Sequence, residues 1–167
     1  FLRRDGRLIK IEKPDDADAG TFREWLMLRL RTDWSVGGTT YSAGSLIAIR
    51  LEDFLAGQRG FDVLFEPSER ISLDSWSATR NAILLGVLDN VRSRVYLVRH
   101  GEGGWTRTPV PGLPEFGEIS ASPVDYRESD DFWLTISDLL TPTSLALATV
   151  GGGAPETLKQ EPAFFDP

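Results

Sequence analysis

Apolar and polar residues alternate along most of the chain with a period of two, which is the pattern of β-strands rather than of helices. Two runs, residues 46–49 and 83–85, are continuously apolar, as expected of strands covered on both faces. Helical spacing is nearly absent, and only residues 51–55, before Ala56-Gly57, fit a single helical turn. The pattern predicts strands at residues 7–11, 26–31, 46–49, 83–85, 95–98, 132–136 and 144–148, with glycine- or proline-containing turns at 36–38, 101–104, 111–112 and 151–153.

The strand pattern repeats with a period of about 50 residues. A shift of 49 residues places Ile83-Leu84-Leu85 on Phe132-Trp133-Leu134, and it places the glycine-rich turn around Gly103 on the one around Gly152. A weaker copy begins near Leu26 and carries about seven extra residues. About four strands in a unit of about 50 residues is typical of a β-propeller blade.

The predicted fold class is therefore all-β, a partial β-propeller of about three four-stranded antiparallel blades. Residues 1–21 are expected to form the last strand of a preceding blade plus a loop. Residues 22–75 and 76–124 are expected to form one blade each, and residues 125–167 an incomplete blade. Propellers close with about four to eight blades, so three blades predict an open fragment, association between copies, or a ring that continues in a longer polypeptide.

Composition narrows the chemistry. The chain has 167 residues with 25 acidic and 18 basic side chains, a net charge of -7, which argues against nucleic acid and anionic membrane surfaces as partners. It has no Cys and one His, which excludes disulfides, thiol catalysis and multi-histidine zinc sites, and we expect no cofactor. The first residue is Phe1 and the single Met27 is internal, with no signal-peptide pattern, so we expect a piece of a longer protein. The compartment stays open between cytoplasm and periplasm.

Several short motifs, in this order, resemble the propeller of bacterial prolyl oligopeptidases, a family of serine peptidases. They are Asp33-Trp34, Thr40-Tyr41-Ser42-Ala43-Gly44-Ser45-Leu46, Leu64-Phe65-Glu66-Pro67, Leu88-Asp89-Asn90-Val91-Arg92-Ser93-Arg94, Leu158-Lys159 and Pro162-Ala163-Phe164-Phe165-Asp166. The resemblance covers most of the chain and rests on structural motifs of the blades rather than on catalytic ones.

The resemblance implies a fold and a function. The family has a seven-bladed propeller set against an α/β-hydrolase domain, and this chain is similar to the second half of that propeller. The family's catalytic residues lie on the hydrolase domain, and this sequence contains no Gly-x-Ser-x-Gly nucleophile motif. The resemblance therefore implies no catalytic residue in this chain, with the hydrolase domain and peptide substrates as partners of the parent protein. It implies that the propeller covers the active site and limits access to short peptides.

The residues themselves offer few catalytic candidates. His100 stands at a strand end that enters a turn, and no nucleophile or orienting acid can be paired with it from sequence, so an exposed turn position is favoured over a general base. The segment 15–20 fails as a calcium loop because Ala17 and Leu26 occupy positions that need ligands, which favours a solvated acidic loop. Asp130 and Asp131 suggest a paired-carboxylate glycosidase, but neighbouring side chains on a strand point to opposite faces.

Two further residue sets are assigned to structure. The tryptophans are scattered over the repeats, which favours packing within blades over a ligand platform, and they are Trp25, Trp34, Trp76, Trp105 and Trp133. Arg92, Arg94 and Arg99 are expected to lie on a solvated strand face with exposed ion pairs. The glycine clusters lack the Gly-Lys pair of a phosphate loop and fit tight turns.

The function predicted for the chain is that of a non-catalytic propeller fragment of a prolyl oligopeptidase-like enzyme. Two alternatives stay open, a kelch-like protein-binding propeller and a fragment of a propeller glycosidase. Because three blades leave two unsealed faces, we also expect the chain to self-associate.

Overall fold

The structure is a computed structural model that describes residues 2–138 and 142–162, and the chain divides into two compact units, residues 1–66 and 67–167. Nearly all regular structure in the described residues is β. The strands are β1 (Leu2–Arg4), β2 (Arg7–Ile9), β3 (Asp18–Phe22), β4 (Trp25–Arg29), β5 (Trp34–Val36), β6 (Thr39–Tyr41), β7 (Leu46–Arg50), β8 (Asp62–Phe65), β9 (Ile71–Ala78), β10 (Ile83–Asp89), β11 (Arg92–Gly101), β12 (Gly104–Pro109), β13 (Glu118–Pro123), β14 (Asp131–Ser137), β15 (Ser144–Thr149) and β16 (Glu156–Gln160), and the helix is α1 (Leu51–Leu55).

The first unit contains a four-stranded antiparallel sheet with the strand order β3-β4-β7-β8. Its central strands β4 and β7 are the two apolar segments predicted around residues 26–31 and 46–49. One face of the sheet packs on a cluster of buried apolar side chains that includes Leu28, Ile47, Phe54 and Phe61. The single helical turn expected at residues 51–55 is confirmed as α1, which contributes Phe54 to that cluster.

The extra residues of the first repeat form the β5–β6 hairpin, whose turn contains Gly37 and Gly38, both at positive φ. Motifs that carry the family resemblance hold the hairpin in place. The Asp33 carboxylate accepts a hydrogen bond from the backbone N–H of Ala43 at 2.8 Å. The Tyr41 hydroxyl accepts one from the backbone N–H of Phe61 at 3.0 Å, inside the buried cluster. These motif residues therefore have structural roles, as the sequence predicts.

The second unit contains two four-stranded antiparallel sheets with the orders β12-β11-β10-β9 and β13-β14-β15-β16. The two sheets share one buried apolar cluster, to which the first contributes Leu84 and Leu97 and the second contributes Phe132 and Leu134. Phe132 and Leu134 are 1% and 0% exposed, so this cluster is a closed core between two sheets. Such burial is worth about 1.5–3 kcal/mol for each large apolar side chain.

The repeat is confirmed by the position of each copy in its sheet. Residues 83–85 lie in β10 and residues 132–134 in β14, and both strands are the second of their sheet in chain order. The glycine-rich segments 101–104 and 151–153 both connect the third strand to the fourth. With four-stranded antiparallel sheets in sequence, the chain has the fold of a partial β-propeller.

The first strand of each four-stranded sheet, in chain order, begins at Asp18 (β3), Ile71 (β9) or Glu118 (β13). The division of the chain into blades at residues 22, 76 and 125 stays a prediction. The last resemblance motif extends into residues 163–166, which lie outside the described residues. Among the described residues, no helix is both long and apolar enough to span a bilayer.

Candidate functional site

The second unit contains a cleft of about 1020 Å³, which is at the upper end of the size range of small-ligand sites. Its lining comes from β9, from the β10–β11 hairpin around its turn, from the β12–β13 connection and the start of β13, and from the end of β14. Its lining mixes apolar and acidic side chains. The apolar ones include Leu88, Val91, Phe116 and Ile119, and the acidic ones are Asp74, Glu115, Glu118 and Asp138.

One wall of the cleft is the tight turn between β10 and β11. Asn90 and Val91 are both left-handed, with φ of 48° and 63°, as a two-residue hairpin turn of the primed type requires. Asn adopts this conformation readily, whereas a β-branched residue does so only at a cost of about 1–3 kcal/mol. The Val91 side chain is 95% exposed, so its apolar surface is presented to solvent at the rim of the cleft.

The opposite wall depends on a glycine. Gly117 has a φ of 119°, and a Cβ atom added to it would lie 2.6 Å from the carbonyl oxygen of Ser137. Only glycine allows the β12–β13 connection to approach the end of β14 so closely. This contact positions Phe116 and Glu118, the residues on either side, at the cleft.

Arg92 joins the two walls. Its guanidinium donates a hydrogen bond to the Glu115 carboxylate at 2.9 Å and lies 4.4 Å from the centre of the Phe116 ring. The ion pair is solvated, with 41% of the Arg92 side chain and 64% of the Glu115 side chain exposed. An exposed ion pair is the arrangement that the sequence predicts for Arg92, and such a pair contributes about 0–1 kcal/mol.

The Asp130 carboxylate accepts several hydrogen bonds from the β9–β10 turn. It accepts them from the Thr79 hydroxyl at 3.0 Å, the Asn81 backbone N–H at 2.8 Å and the Asn81 side-chain amide at 2.6 Å. Partial burial acts to raise the pKa of Asp130, but the hydrogen bonds from Asn81 and Thr79 and the charge of Arg80 outweigh it and hold the pKa below its usual value. Asp130 thus ties the β9–β10 turn to the segment that precedes β14.

The carboxylate of Asp131 has a different partner, because it accepts a hydrogen bond from the Thr149 hydroxyl of β15. The two neighbouring acids are therefore held by separate groups. Asp18 of the acidic segment 15–20 is held by an ion pair with Arg31 at 2.6 Å. Across the described ranges, no group of three His, Asp or Glu side chains is arranged to hold a metal ion.

The structure places His100 as an exposed residue near the end of β11, where its ring packs edge-on against Trp105 at 5.0 Å between centroids. The two residues are partners across the β11–β12 pair. Trp34 packs against Phe61 at 5.3 Å, within the first unit, and Trp25 is buried in β4. These tryptophans pack inside their sheets and hairpins, as the sequence predicts.

Sequence reasoning missed the cleft, although two of its signals are visible in the sequence. Asp89-Asn90 after an apolar run marks a hairpin turn, and the exposed Val91 follows it directly. Phe116 is an isolated aromatic residue in a connection rich in proline and glycine. The sequence does not indicate that these two segments, about 25 residues apart, line the same cleft.

The fold is a partial β-propeller, and comparison with known proteins confirms that the chain is similar to the propeller of prolyl oligopeptidases. No protein-family model matches the chain. It is 32% identical over 166 residues to an uncharacterized peptidase, y4nA, of Sinorhizobium fredii, a match that covers 97% of this chain and 23% of that protein. It is 28% identical over 145 residues to an uncharacterized peptidase, RP174, of Rickettsia prowazekii, covering 84% of this chain and 20% of that protein.

The chain also superposes on solved structures of proline-specific peptidases. A post-proline cleaving enzyme from Rickettsia typhi superposes with a TM-score of 0.81 at 27% identity, over 96% of this chain and 23% of that one. A prolyl endopeptidase structure superposes with a TM-score of 0.66 at 16% identity, over 90% of this chain and 20% of that one, and this likeness shows the fold alone. The chain thus spans about a quarter or less of the length of the relatives it matches.

Proposed function

We propose that this chain is a non-catalytic part of the propeller of a serine peptidase that cleaves after proline. The observation that carries the proposal is the match of 96% of this chain to about a quarter of a post-proline cleaving enzyme, at a TM-score of 0.81. The peptidase relatives, aligned over 97% and 84% of the chain, support it independently. In this proposal the nucleophile, the base and the oxyanion hole belong to a hydrolase domain of the parent protein.

The role proposed for the propeller in the parent is to cover the active site and to admit short peptides only. A rigid cover suits this role, and the shared core around Phe132 and Leu134 makes the two sheets of the second unit a packed pair. The hydrogen bonds of Asp130 to Thr79 and Asn81 join the same two sheets at a turn. A cover built in this way can exclude a folded protein while its loops leave room for an extended peptide.

The test has two parts. The first is the gene sequence beyond residue 167, which is expected to encode a Gly-x-Ser-x-Gly segment in a strand–turn–helix context. The second is cleavage of proline-containing peptides of increasing length by the polypeptide that this gene encodes, with rates expected to fall sharply for long substrates. Absence of the serine motif would favour the protein-binding propeller instead. Equal rates on short peptides and on a denatured protein of the same composition would contradict the gating role.

Self-association belongs to the same proposal. In β14 and β15, Phe132, Leu134 and Ala146 belong to the shared core, so the alternate side chains Trp133 and Leu147 lie on the opposite face of the sheet. These two residues are cross-strand partners and are only half-buried. A second copy of the chain that packs on this face would remove their apolar surface from water.

A further inference from the structure

We propose that the cleft of the second unit is a binding site for a short cationic peptide segment that carries apolar side chains. This inference goes beyond the peptidase proposal and does not depend on it, because it concerns binding by the chain itself. The term "acidic cleft" is used below for the cleft lined by Asp74, Leu88, Val91, Phe116, Glu118 and Asp138 among its residues.

The acidic cleft presents apolar side chains to water. Val91 is 95% exposed and Phe116 is 59% exposed, and both belong to its lining. Large apolar side chains brought together at a concave site are typical of places where another chain binds, because their burial by a ligand is favourable. The aromatic ring of Phe116 is the kind of residue that anchors such contacts.

The lining of the acidic cleft carries negative charge. Four of the lining residues are acidic and none is basic, so the electrostatic potential of the lining favours a cation. Arg92, just outside the lining, neutralises Glu115 at one edge. Glu118, two residues after Phe116, also lines the cleft and is exposed.

Arg92 also shows that this surface accepts a guanidinium. Its charged group already lies 4.4 Å from the centre of the Phe116 ring and bonds a neighbouring carboxylate. An arginine or lysine of a ligand in the acidic cleft would find the same two kinds of group in its lining, aromatic in Phe116 and carboxylate in Glu118. Apolar side chains on either side of that cation would cover Val91 and Leu88.

The size of the acidic cleft sets the length of the ligand. A volume of about 1020 Å³ is enough for a few residues and too small for a folded domain. The occupant is therefore an extended peptide segment rather than a globular surface.

The test is fluorescence polarisation with the 167-residue chain and two labelled, end-capped hexapeptides. One contains Leu, Lys and Arg, and the other has Glu in place of each basic residue. The basic peptide is expected to bind at least about tenfold more tightly, and its affinity is expected to fall as salt is added. Equal binding of the two peptides, or no binding of the basic one, would overturn the proposal.

Matched variants locate the site. Glu118→Lys is expected to weaken binding of the basic peptide about tenfold, whereas Glu102→Lys, the same charge change in the β11–β12 turn, is expected to change it less than about twofold. Phe116→Ser is expected to weaken binding about fivefold. Its control is Tyr126→Ser, which removes an aromatic ring that is 58% exposed and also stacks with an arginine, Arg127 at 5.0 Å, outside the acidic cleft.

These pairs keep the result interpretable if one variant is unstable. Each is compared at equal folded fraction, measured by circular dichroism, and each pair changes the same chemistry inside and outside the acidic cleft. If the control variants lower the affinity as much as Glu118→Lys and Phe116→Ser do, binding is a general property of an acidic surface and the site assignment is wrong.

Discussion

Asp130 illustrates how a carboxylate with several hydrogen bonds can join two parts of the fold. Acids held by several hydrogen bonds often mark active sites, and sequence reasoning raised Asp130 as half of a carboxylate pair. Its three donors, however, come from Thr79 and Asn81, which belong to a turn of the neighbouring sheet. The lowered pKa follows from this structural bonding, because the donors stabilise the ionised form.

Asp130→Asn is expected to destabilise the chain by about 1–2 kcal/mol at neutral pH, because an amide cannot accept all three hydrogen bonds. The native carboxyl has a lower pKa when folded than when unfolded, so its stabilisation is present above the unfolded pKa. It is lost as the pH falls through the folded pKa. The difference in unfolding free energy between the two proteins should therefore shrink below about pH 4, as measured by urea denaturation.

Glu128→Gln serves as the control, because it removes one negative charge from an exposed side chain of the same loop. Its effect is expected to stay within about 0.5 kcal/mol. A gap between Asp130→Asn and the parent that stayed constant down to about pH 2 would show that the carboxylate is not stabilised in the folded chain.

The buried hydrogen bond of Tyr41 is expected to stabilise the first unit. Its hydroxyl accepts the backbone N–H of Phe61 inside the buried cluster, so Tyr41→Phe leaves that N–H without its acceptor. The expected loss is about 1–3 kcal/mol of unfolding free energy. Tyr126→Phe, at a tyrosine that is 58% exposed, should change the unfolding midpoint in urea very little. Equal midpoints for Tyr41→Phe and the parent would contradict this account.

At the scale of elements, the interior strands of the four-stranded sheets were predictable and their edge strands were not. β4, β7, β10 and β14 are the second or third strands of their sheets and are rich in buried apolar residues, so their pattern stands out in the sequence. β16 is exposed at every position, and no apolar alternation marks it. An edge strand is held largely by backbone hydrogen bonds to one neighbour, and these leave little signal in side-chain type.

The cleft was beyond sequence reasoning for a related reason. It depends on a close approach of the backbones at Gly117 and Ser137. Glycine permits such an approach, but a glycine in the sequence does not indicate which backbone will come close to it. The repeat predicted which strands are equivalent, but each repeat has its own connections. In the first unit the connection from β4 to β7 contains the β5–β6 hairpin, whereas β10 and β11 are joined by the two-residue turn at Asn90 and Val91.

Gly117→Ala tests that close approach. The added Cβ would meet the carbonyl oxygen of Ser137 at 2.6 Å, and φ at this position is 119°, so both contact and backbone oppose the change. We expect a loss of about 1–3 kcal/mol in urea denaturation. Gly103→Ala is the matched control, because its Cβ would meet none of the described atoms within 4 Å. If both variants unfolded at the same urea concentration, the cleft wall would not require glycine.

At the scale of the whole molecule, the face of Trp133 and Leu147 predicts association. Leu145, on the same face, is 37% exposed, and Leu145→Glu would place a charge in the contact. Light scattering is expected to show a mass that rises above 18.5 kDa with concentration for the parent chain and stays near it for Leu145→Glu. Val63→Glu, at a similarly exposed apolar residue of β8, should behave as the parent does. A parent chain that stayed at 18.5 kDa at high concentration would contradict the prediction.

The proposed place of the chain in a larger peptidase fits its composition. The chain has one histidine and no cysteine, and the carboxylates of Asp130 and Asp131 accept hydrogen bonds from Thr79, Asn81 and Thr149. Within the motifs that carry the family resemblance, the hydrogen bond from the Ala43 N–H to the Asp33 carboxylate holds the base of the β5–β6 hairpin. The account therefore separates two functions, chemistry in the rest of the parent and selection of the substrate by the propeller.

The most direct test of this separation compares how fast two proteins cleave a short fluorogenic proline-containing peptide. One protein is the 167-residue chain, and the other is the full-length product of its gene. The account predicts no turnover by the chain alone and cleavage after proline by the longer polypeptide. Reproducible turnover by the purified chain, or a longer polypeptide that carries no peptidase activity, would contradict it.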